Sequence, residues 1–187
     1  MALCVYLAGP DVFLANAGAV AAAKLAICAK HGFLGIAPWN PDVERLMALP
    51  ADAAWRAIYL QDLAMMEASD LVIANLTPFR GASADAGTLV EIGWFLGRGR
   101  PVFGYSNVAA DFAARSAAQV AAVPDPVTGL ALEGFSLPDN LMIPGALEYG
   151  GGLPMFLPPD GQDRAFDALD VFEACVAGAA AFLKVCG

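Results

Sequence analysis

The residues best suited to do chemistry lie within residues 75–97, which read NLTPFRGASADAGTLVEIGWFLG. A strand end leads through a glycine-containing loop, which carries Asp85, into a helix whose first turns carry Glu91. Because Glu91 has apolar neighbours on both sides, it is a carboxylate that needs partners or has a raised pKa. Either property marks a candidate catalytic group. A helix-start acid favoured by the helix dipole is the plainer interpretation, and this segment alone supports both equally.

Three further side chains have a functional and a structural interpretation. Asp62, in the stretch YLQDLAMM, can donate a proton or lie on a solvated helix face. Tyr6, in the first apolar run, has a hydroxyl that needs a partner if it is buried, although the residue can simply be part of the core. Phe13 follows the turn at Gly9 and can stack on a base or pack against the protein. Taken singly, Asp62 and Phe13 favour their structural interpretations.

Composition and motifs exclude several classes of function. The four cysteines form no CxxC pair and His31 is the single histidine, so we expect no metal site. There is no GxGxxG, GxSxG or P-loop motif. A net charge of -9 makes nucleic acid a poor partner. Since no apolar stretch is long enough to span a membrane and no secretory leader is evident, we expect no membrane partner and a cytoplasmic protein.

Short apolar runs alternate with helical segments along most of the chain. Strands are predicted over residues 3–8, 33–37, 70–76 and 101–105. Helices are predicted over residues 16–30, 51–68, 87–97, 109–122 and 164–185.

This alternation predicts an α/β fold, with a Rossmann-like (flavodoxin-like) doubly wound parallel sheet of about five strands and helices on both faces. Ligands bind beyond the carboxyl ends of the strands in such folds. Those ends correspond here to the turn at Gly9 and to residues 38–40, 77–85 and 105–106. The 187 residues suit a single domain. Within it, residues 124–163 are rich in Pro and Gly and are predicted to be an irregular segment that forms an interface.

Taken together, these residues resemble the nucleoside 2-deoxyribosyltransferase family. The resemblance rests on the Tyr-Leu-Ala-Gly sequence that begins at Tyr6, on Asp62 within Gln-Asp-Leu, on the Asp85 and Glu91 pair, and on Asn140-Leu141-Met142. The TPFRG and EGFSLPDNLM stretches look closest to the branch found in kinetoplastid parasites.

The resemblance implies an enzyme that transfers 2-deoxyribose between nucleobases by double displacement in nucleoside salvage. Glu91 would be the covalent nucleophile and Tyr6 the residue that touches it. Asp62 would help to protonate the leaving base, and Asp85 corresponds to the loop aspartate of the family. Deoxynucleosides and free nucleobases are the implied substrates, and no metal or organic cofactor is required.

The resemblance also implies a substrate-binding set and a homo-oligomer. Gly9 and Phe13 would line the substrate site. Asn140 and Met142 would reach into the site of a neighbouring subunit, where the asparagine binds a sugar hydroxyl. We therefore expect a dimer or a higher oligomer with shared active sites.

Two other functions stay open. A deoxynucleoside 5′-monophosphate N-glycosidase has a similar fold and nucleophile, but it needs a phosphate nest, for which the loop offers only Ser83 and Arg80. A non-enzymatic nucleotide-binding module is compatible with the predicted fold, because a fold does not determine a function.

Overall fold

A parallel β-sheet forms the centre of the protein. The computed structural model describes residues 2–39, 45–46, 48–123 and 125–186. In these residues the sheet has four parallel strands in the order β2-β1-β3-β4. The strands are β1 (Cys4–Ala8), β2 (Leu34–Ile36), β3 (Leu71–Asn75) and β4 (Val102–Tyr105). Every residue of β3 and β4 is buried, as expected for parallel strands that are covered on both faces.

Helices cover both faces of the sheet, which confirms the predicted α/β class. They are α1 (Ala17–Lys30), α2 (Ala51–Glu67), α3 (Ala86–Gly97), α4 (Phe112–Ala122), α5 (Met142–Gly151) and α6 (Asp170–Cys186). Successive strand residues point to opposite faces. Leu7 therefore packs in the core with α1 and α6, whereas Tyr6 packs in a second core with α3 and α5.

The prediction of about five strands was slightly too high. Where a fifth strand would continue the sheet beyond β4, only Phe156 pairs, through a single parallel bridge to Tyr105. The Phe156 amide donates to the Gly104 carbonyl at 3.0 Å, and the Ser106 amide donates to the Phe156 carbonyl at 2.9 Å. Proline residues at 154, 158 and 159 cannot donate ladder hydrogen bonds, which explains why the pairing does not extend.

The irregular segment predicted over residues 124–163 contains a helix, α5 (Met142–Gly151). Pro144 and three glycines are usual signals of a loop, but Pro144 lies in the first turn, where a missing amide hydrogen costs no helical bond. The last helix begins at Asp170, later than predicted, because residues 165–168 wrap around the buried Asn107. The Asn107 Nδ2 atom donates to the carbonyls of Ala165, Phe166 and Ala168.

Two predicted boundaries fall on residues that the structure does not describe: Asn40, at one carboxyl strand end, and Pro124, at the start of the irregular segment. Among the described helices, none is long and apolar enough to cross a membrane.

Candidate active site

The Tyr6 hydroxyl and the Glu91 carboxylate meet on the face of the sheet that is covered by α3. Tyr6, on β1, has no exposed surface, and its hydroxyl donates a hydrogen bond to Glu91 Oε1 at 2.7 Å. The Tyr6 ring lies against Phe95, with 6.0 Å between centroids. Because Phe95 follows Glu91 by one helical turn, both residues point from α3 toward β1.

The pKa of Glu91 is raised to about 7, mainly because the carboxyl group is buried. The hydrogen bond from Tyr6 lowers this pKa, and the negative charges of Asp62 and Asp85 raise it. Asp62, which is partly buried on α2, has a pKa raised to about 6 by burial. Burial, together with the charge of Glu91, also raises the pKa of Tyr6, so its hydroxyl is a hydrogen-bond donor. Three carboxyl groups therefore interact electrostatically beside one buried tyrosine.

Asp85 caps the amino end of α3. Its Oδ2 atom accepts hydrogen bonds from the Thr88 amide at 3.0 Å and from the Thr88 hydroxyl at 3.2 Å. A cap of this kind stabilises a helix by about 1 kcal/mol. Asp85 thus has a structural role at the start of the helix that carries Glu91, and its charge also acts on that carboxylate.

Gly9 ends β1 at a point where only glycine fits. Its φ angle of +152° is one that other residues rarely adopt, and an added Cβ would lie 2.7 Å from Asn75 Cβ and 2.8 Å from Asp11 Oδ2. The turn after β1 therefore passes directly against the end of β3.

A buried ion pair, which the sequence did not reveal, holds this turn. Lys24 Nζ lies 2.6 Å from Asp11 Oδ2, and Asn75 Nδ2 donates to Asp11 Oδ1 at 3.1 Å. Lys24 is 4% exposed, and burial lowers its pKa while Asp11 opposes that effect. A shallow cleft beside this pair is also lined by Trp39. Its walls include Leu7 and α1, which lie on the face of the sheet opposite Glu91.

Phe13 lies on the rim of the carboxyl edge. It is 61% exposed, and its ring is nearly parallel to that of Phe79, with 5.5 Å between centroids. The Arg80 guanidinium lies 5.0 Å from the Phe13 centroid and 4.7 Å from the Phe79 centroid. Phe13 therefore packs on the protein but leaves most of its surface exposed, so stacking on a base stays a prediction.

Asn140 and Met142 lie at the surface around the start of α5. The Asn140 side chain donates to Glu133, and its Oδ1 atom accepts from the Met142 amide at 3.1 Å. Met142 is 70% exposed. Among the hydrogen bonds of the described residues, none joins this pair to Tyr6 or Glu91. The structure thus brings Tyr6, Asp62, Asp85 and Glu91 together, and it leaves the Asn140 segment on the surface of the chain.

Tyr6, Asp62, Asp85 and Glu91 lie in a part of the chain that matches a known protein family. The sequence model of the family described as nucleoside 2-deoxyribosyltransferase matches residues 5–142. The chain belongs to this family. The matched range contains every residue of the predicted site, from Tyr6 to Met142.

Solved structures agree with the family assignment. A 2-deoxyribosyltransferase from Leishmania mexicana is 26% identical, with a TM-score of 0.61 over 96% of this chain and 97% of that one. Since Leishmania is a kinetoplastid, this match agrees with the predicted resemblance to the kinetoplastid branch. A conserved protein from Enterococcus faecalis V583 is 19% identical, with a TM-score of 0.55 over 95% of this chain and 99% of its own, and it shows the shared fold alone.

A curated relative comes from Schizosaccharomyces pombe, where it is described as an uncharacterized protein. It is 38% identical over 107 residues, which are 56% of this chain and 50% of the yeast protein. The match therefore spans half the length of that relative.

In the part of the chain that the structure describes, no group of three or more His, Cys, Asp or Glu side chains is arranged to hold a metal ion. This chain also contains a charged pair that its sequence did not reveal: Asp139, which is buried, and Arg115, which is partly buried. The only signal for Asp139 was its position beside Asn140, and Arg115 gave none within its alanine-rich helix.

Proposed function

We propose that this chain transfers 2-deoxyribose from one nucleobase to another by double displacement, with Glu91 as the covalent nucleophile. The observation that carries the proposal is the 2.7 Å hydrogen bond from the Tyr6 hydroxyl to Glu91 Oε1, in a partly buried group of carboxylates. Membership in the nucleoside 2-deoxyribosyltransferase family supports the class of reaction.

In the first half-reaction, Glu91 attacks C1′ of a deoxynucleoside and the bond from C1′ to the base nitrogen breaks. Tyr6 binds Oε1, so Oε2 is the oxygen left to attack. The departing base takes a proton from Asp62, whose pKa is raised by burial to about 6, so that it holds a proton more readily than an exposed aspartate does. The product is a free base and a neutral glycosyl ester on Glu91.

In the second half-reaction, a new base attacks C1′ and Glu91 leaves as a carboxylate. The proton lost by the incoming base returns to Asp62. Two inversions at C1′ retain its configuration. Because the substrate lacks a 2′-hydroxyl, the cationic transition state forms more easily. Water must stay away from the ester, and the apolar side chains of Ile92 and Phe95 beside Glu91 suit that need.

The loop before α3 favours unphosphorylated nucleosides. The Ser83 hydroxyl and the Ala84 amide, two donors that a phosphate could use, both donate to the buried carboxylate of Asp139. A phosphate placed there would have to compete with this carboxylate for both donors. Base exchange among free deoxynucleosides is a reaction of nucleoside salvage, which is the role proposed for this chain, in the cytoplasm.

A homo-oligomer with shared active sites is the second part of the proposal. Phe135, Leu141, Met142 and Tyr149 are 64%, 42%, 70% and 95% exposed. Leaving these side chains in water is costly, and a second copy of the chain would bury them in a closed symmetric assembly. Asn140, in the same surface, would then bind a sugar hydroxyl in the partner's site.

Base exchange is the direct test of the reaction. Incubation with deoxyinosine and free adenine should yield deoxyadenosine by chromatography, and Glu91→Ala should yield none while staying folded. Mass spectrometry of the protein quenched with deoxyinosine alone should find a deoxyribosyl adduct on Glu91. An adduct-free protein with no exchange would point to a binding module. Turnover of deoxyinosine monophosphate in preference to deoxyinosine would point to the monophosphate hydrolase.

Complementation tests the shared site. Glu91→Ala and Asn140→Ala should each be poorly active alone. After gentle dissociation and reassembly of the mixture, some sites should combine an intact Glu91 with an intact Asn140 and regain activity. If native mass spectrometry shows hybrid oligomers without recovery, Asn140 does not serve a neighbouring site.

A further inference from the structure

Asp139 is a carboxylate with no exposed surface, and it directly precedes Asn140. Its Oδ1 atom accepts a hydrogen bond from the Ser83 hydroxyl at 2.6 Å and another from the Asn140 amide at 2.8 Å. Its Oδ2 atom accepts a hydrogen bond from the Ala84 amide at 3.1 Å. One buried carboxylate therefore joins the loop before Asp85 to the segment that carries Asn140.

Arg115, on α4, is the cation that accompanies this carboxylate. Its Nη2 atom lies 3.6 Å from Asp139 Oδ2 and donates to the Pro138 carbonyl at 2.7 Å. Its Nε atom donates to the Ala82 carbonyl at 2.8 Å. The guanidinium thus contacts the same two parts of the chain that Asp139 joins. Most of its hydrogen-bonding capacity is used inside the protein.

A buried ion pair is a poor way to gain stability. Apolar residues of similar volume are often as stabilising, because removing two charges from water costs several kcal/mol. What the pair supplies is directionality: Asp139 accepts hydrogen bonds from Ser83 and Ala84 in the loop and from the Asn140 amide, and these bonds join the loop to the Asn140 segment.

The position of that loop decides where α3, the helix that carries Glu91, begins. Ala84 is followed at once by Asp85, which caps α3 through the Thr88 amide, and α3 carries Glu91. A shift at Ala84 would therefore move the Asp85 charge that acts on Glu91. The Asp139 carboxylate also accepts a hydrogen bond from the Asn140 amide, and this bond holds the backbone at Asn140.

We propose that Asp139 and Arg115 are positioning residues for deoxyribosyl transfer, which hold the Asp85 loop and the Asn140 segment in register without touching the substrate. This inference rests on the proposed function. The proposed role is distinct from general support of the core, because the hydrogen bonds that Asp139 accepts come from the two segments that carry site residues, through Ser83, Ala84 and Asn140.

Asp139→Asn is the first test variant. It keeps the size of the side chain but replaces one acceptor oxygen with an NH₂ group, which is a donor. One of the two hydrogen bonds from the loop therefore loses its acceptor, and Arg115 loses its carboxylate partner. Val176→Ala is the matched control. Val176 is fully buried in the other core, on α6, so its truncation lowers stability away from the loop.

Kinetics of deoxyinosine and adenine exchange should separate the two variants. Asp139→Asn should lower kcat by about 10²-fold, the effect of a small misplacement, with a much smaller change in KM. Its acidic limb in the pH profile should move to lower pH, since the Asp85 charge that raises the pKa of Glu91 is no longer held in place. In Val176→Ala, the acidic limb of the pH profile should stay at its wild-type pH.

Hydrogen exchange supplies a readout that needs no activity. Amides of residues 79–90 should exchange faster in Asp139→Asn than in wild type. In Val176→Ala, any loss of protection at residues 79–90 should be no larger than the loss in the other peptides of that variant. If wild type transfers no deoxyribose, the proposed function fails, and this exchange pattern still decides whether Asp139 holds the loop. Should Asp139→Asn match Val176→Ala in kcat, acidic limb and exchange, the positioning role is overturned.

Ser83→Ala covers the case in which Asp139→Asn does not fold. It removes one loop bond to Asp139 and changes no charge. A smaller fall in kcat, with the acidic limb displaced in the same direction, supports the positioning role. Wild-type kcat together with wild-type exchange at residues 79–90 overturns it.

Discussion

Replacement of Glu91 by glutamine should stabilise the protein while it abolishes transfer. Ionised Glu91 is disfavoured in the folded chain, because burial raises its pKa from 4.5 to about 7. Between these two pH values the native state binds more protons than the unfolded state, so stability falls as the pH rises. Below pH 4.5 the carboxyl is protonated in both states and carries no penalty. Above pH 7 the penalty is complete.

The size of the effect follows from the pKa change. One pKa unit corresponds to about 1.36 kcal/mol, so the shift amounts to roughly 3 kcal/mol of lost stability at pH 8. Glutamine stays neutral and can still accept the Tyr6 hydrogen bond, so it escapes the penalty. For a domain of this size, 3 kcal/mol corresponds to a rise in Tm of about 6–12 °C.

Urea and thermal unfolding from pH 5 to pH 8 provide the assay. The stability difference between Glu91→Gln and wild type should be small at pH 5 and should grow up to pH 8. Glu148→Gln, on the exposed surface of α5, controls for the loss of a carboxylate as such. A difference that stays flat across this range, or that favours wild type at pH 8, would refute the idea that Glu91 is ionised at a cost.

Three other substitutions test the site. Tyr6→Phe removes a hydrogen bond that lowers the pKa of Glu91, so the acidic limb of kcat/KM should move to higher pH; an unmoved limb contradicts the assigned contact. Asp62→Asn should slow release of purines by roughly 10²–10⁴-fold but spare a nitrophenyl leaving group, and equal slowing removes Asp62 from the acid role. Gly9→Ala should lower the unfolding free energy by about 1–3 kcal/mol in urea titrations, since its Cβ would meet Asn75; unchanged stability would show that the turn can relax.

The sheet was predictable because its strands are short apolar runs closed by glycine or proline. Residues 70–76 predicted a strand that the structure places at Leu71–Asn75. The helix α5 (Met142–Gly151) was not predictable by the same rules, since Pro144 and the glycines around it are the usual signals of a loop. The missing fifth strand has a similar cause, because a run of prolines allows Phe156 one bridge but no ladder.

The site was partly predictable. Glu91 was predicted from its apolar surroundings and Asp62 from the family resemblance, but no local pattern shows that Tyr6 donates to a residue 85 positions away. Nothing in the sequence marks Lys24, on an alanine-rich helix, as a residue that is buried against Asp11. Asp139 gave no signal beyond its position beside Asn140. Buried ion pairs depend on which elements meet in space, and that information is not local to the sequence.

The burial of Glu91 has opposite effects on the free protein and on the proposed intermediate. In the free protein it disfavours the ionised carboxylate that must attack C1′. When the glycosyl ester forms, the negative charge disappears, and the same burial no longer costs anything. Burial therefore favours the covalent state over the free carboxylate by an amount comparable with the stability lost at pH 8. The Tyr6 hydrogen bond opposes this preference, because it stabilises the carboxylate more than the ester. In the proposed mechanism, a balance between these two effects would allow Glu91 both to accept the sugar and to release it to a second base.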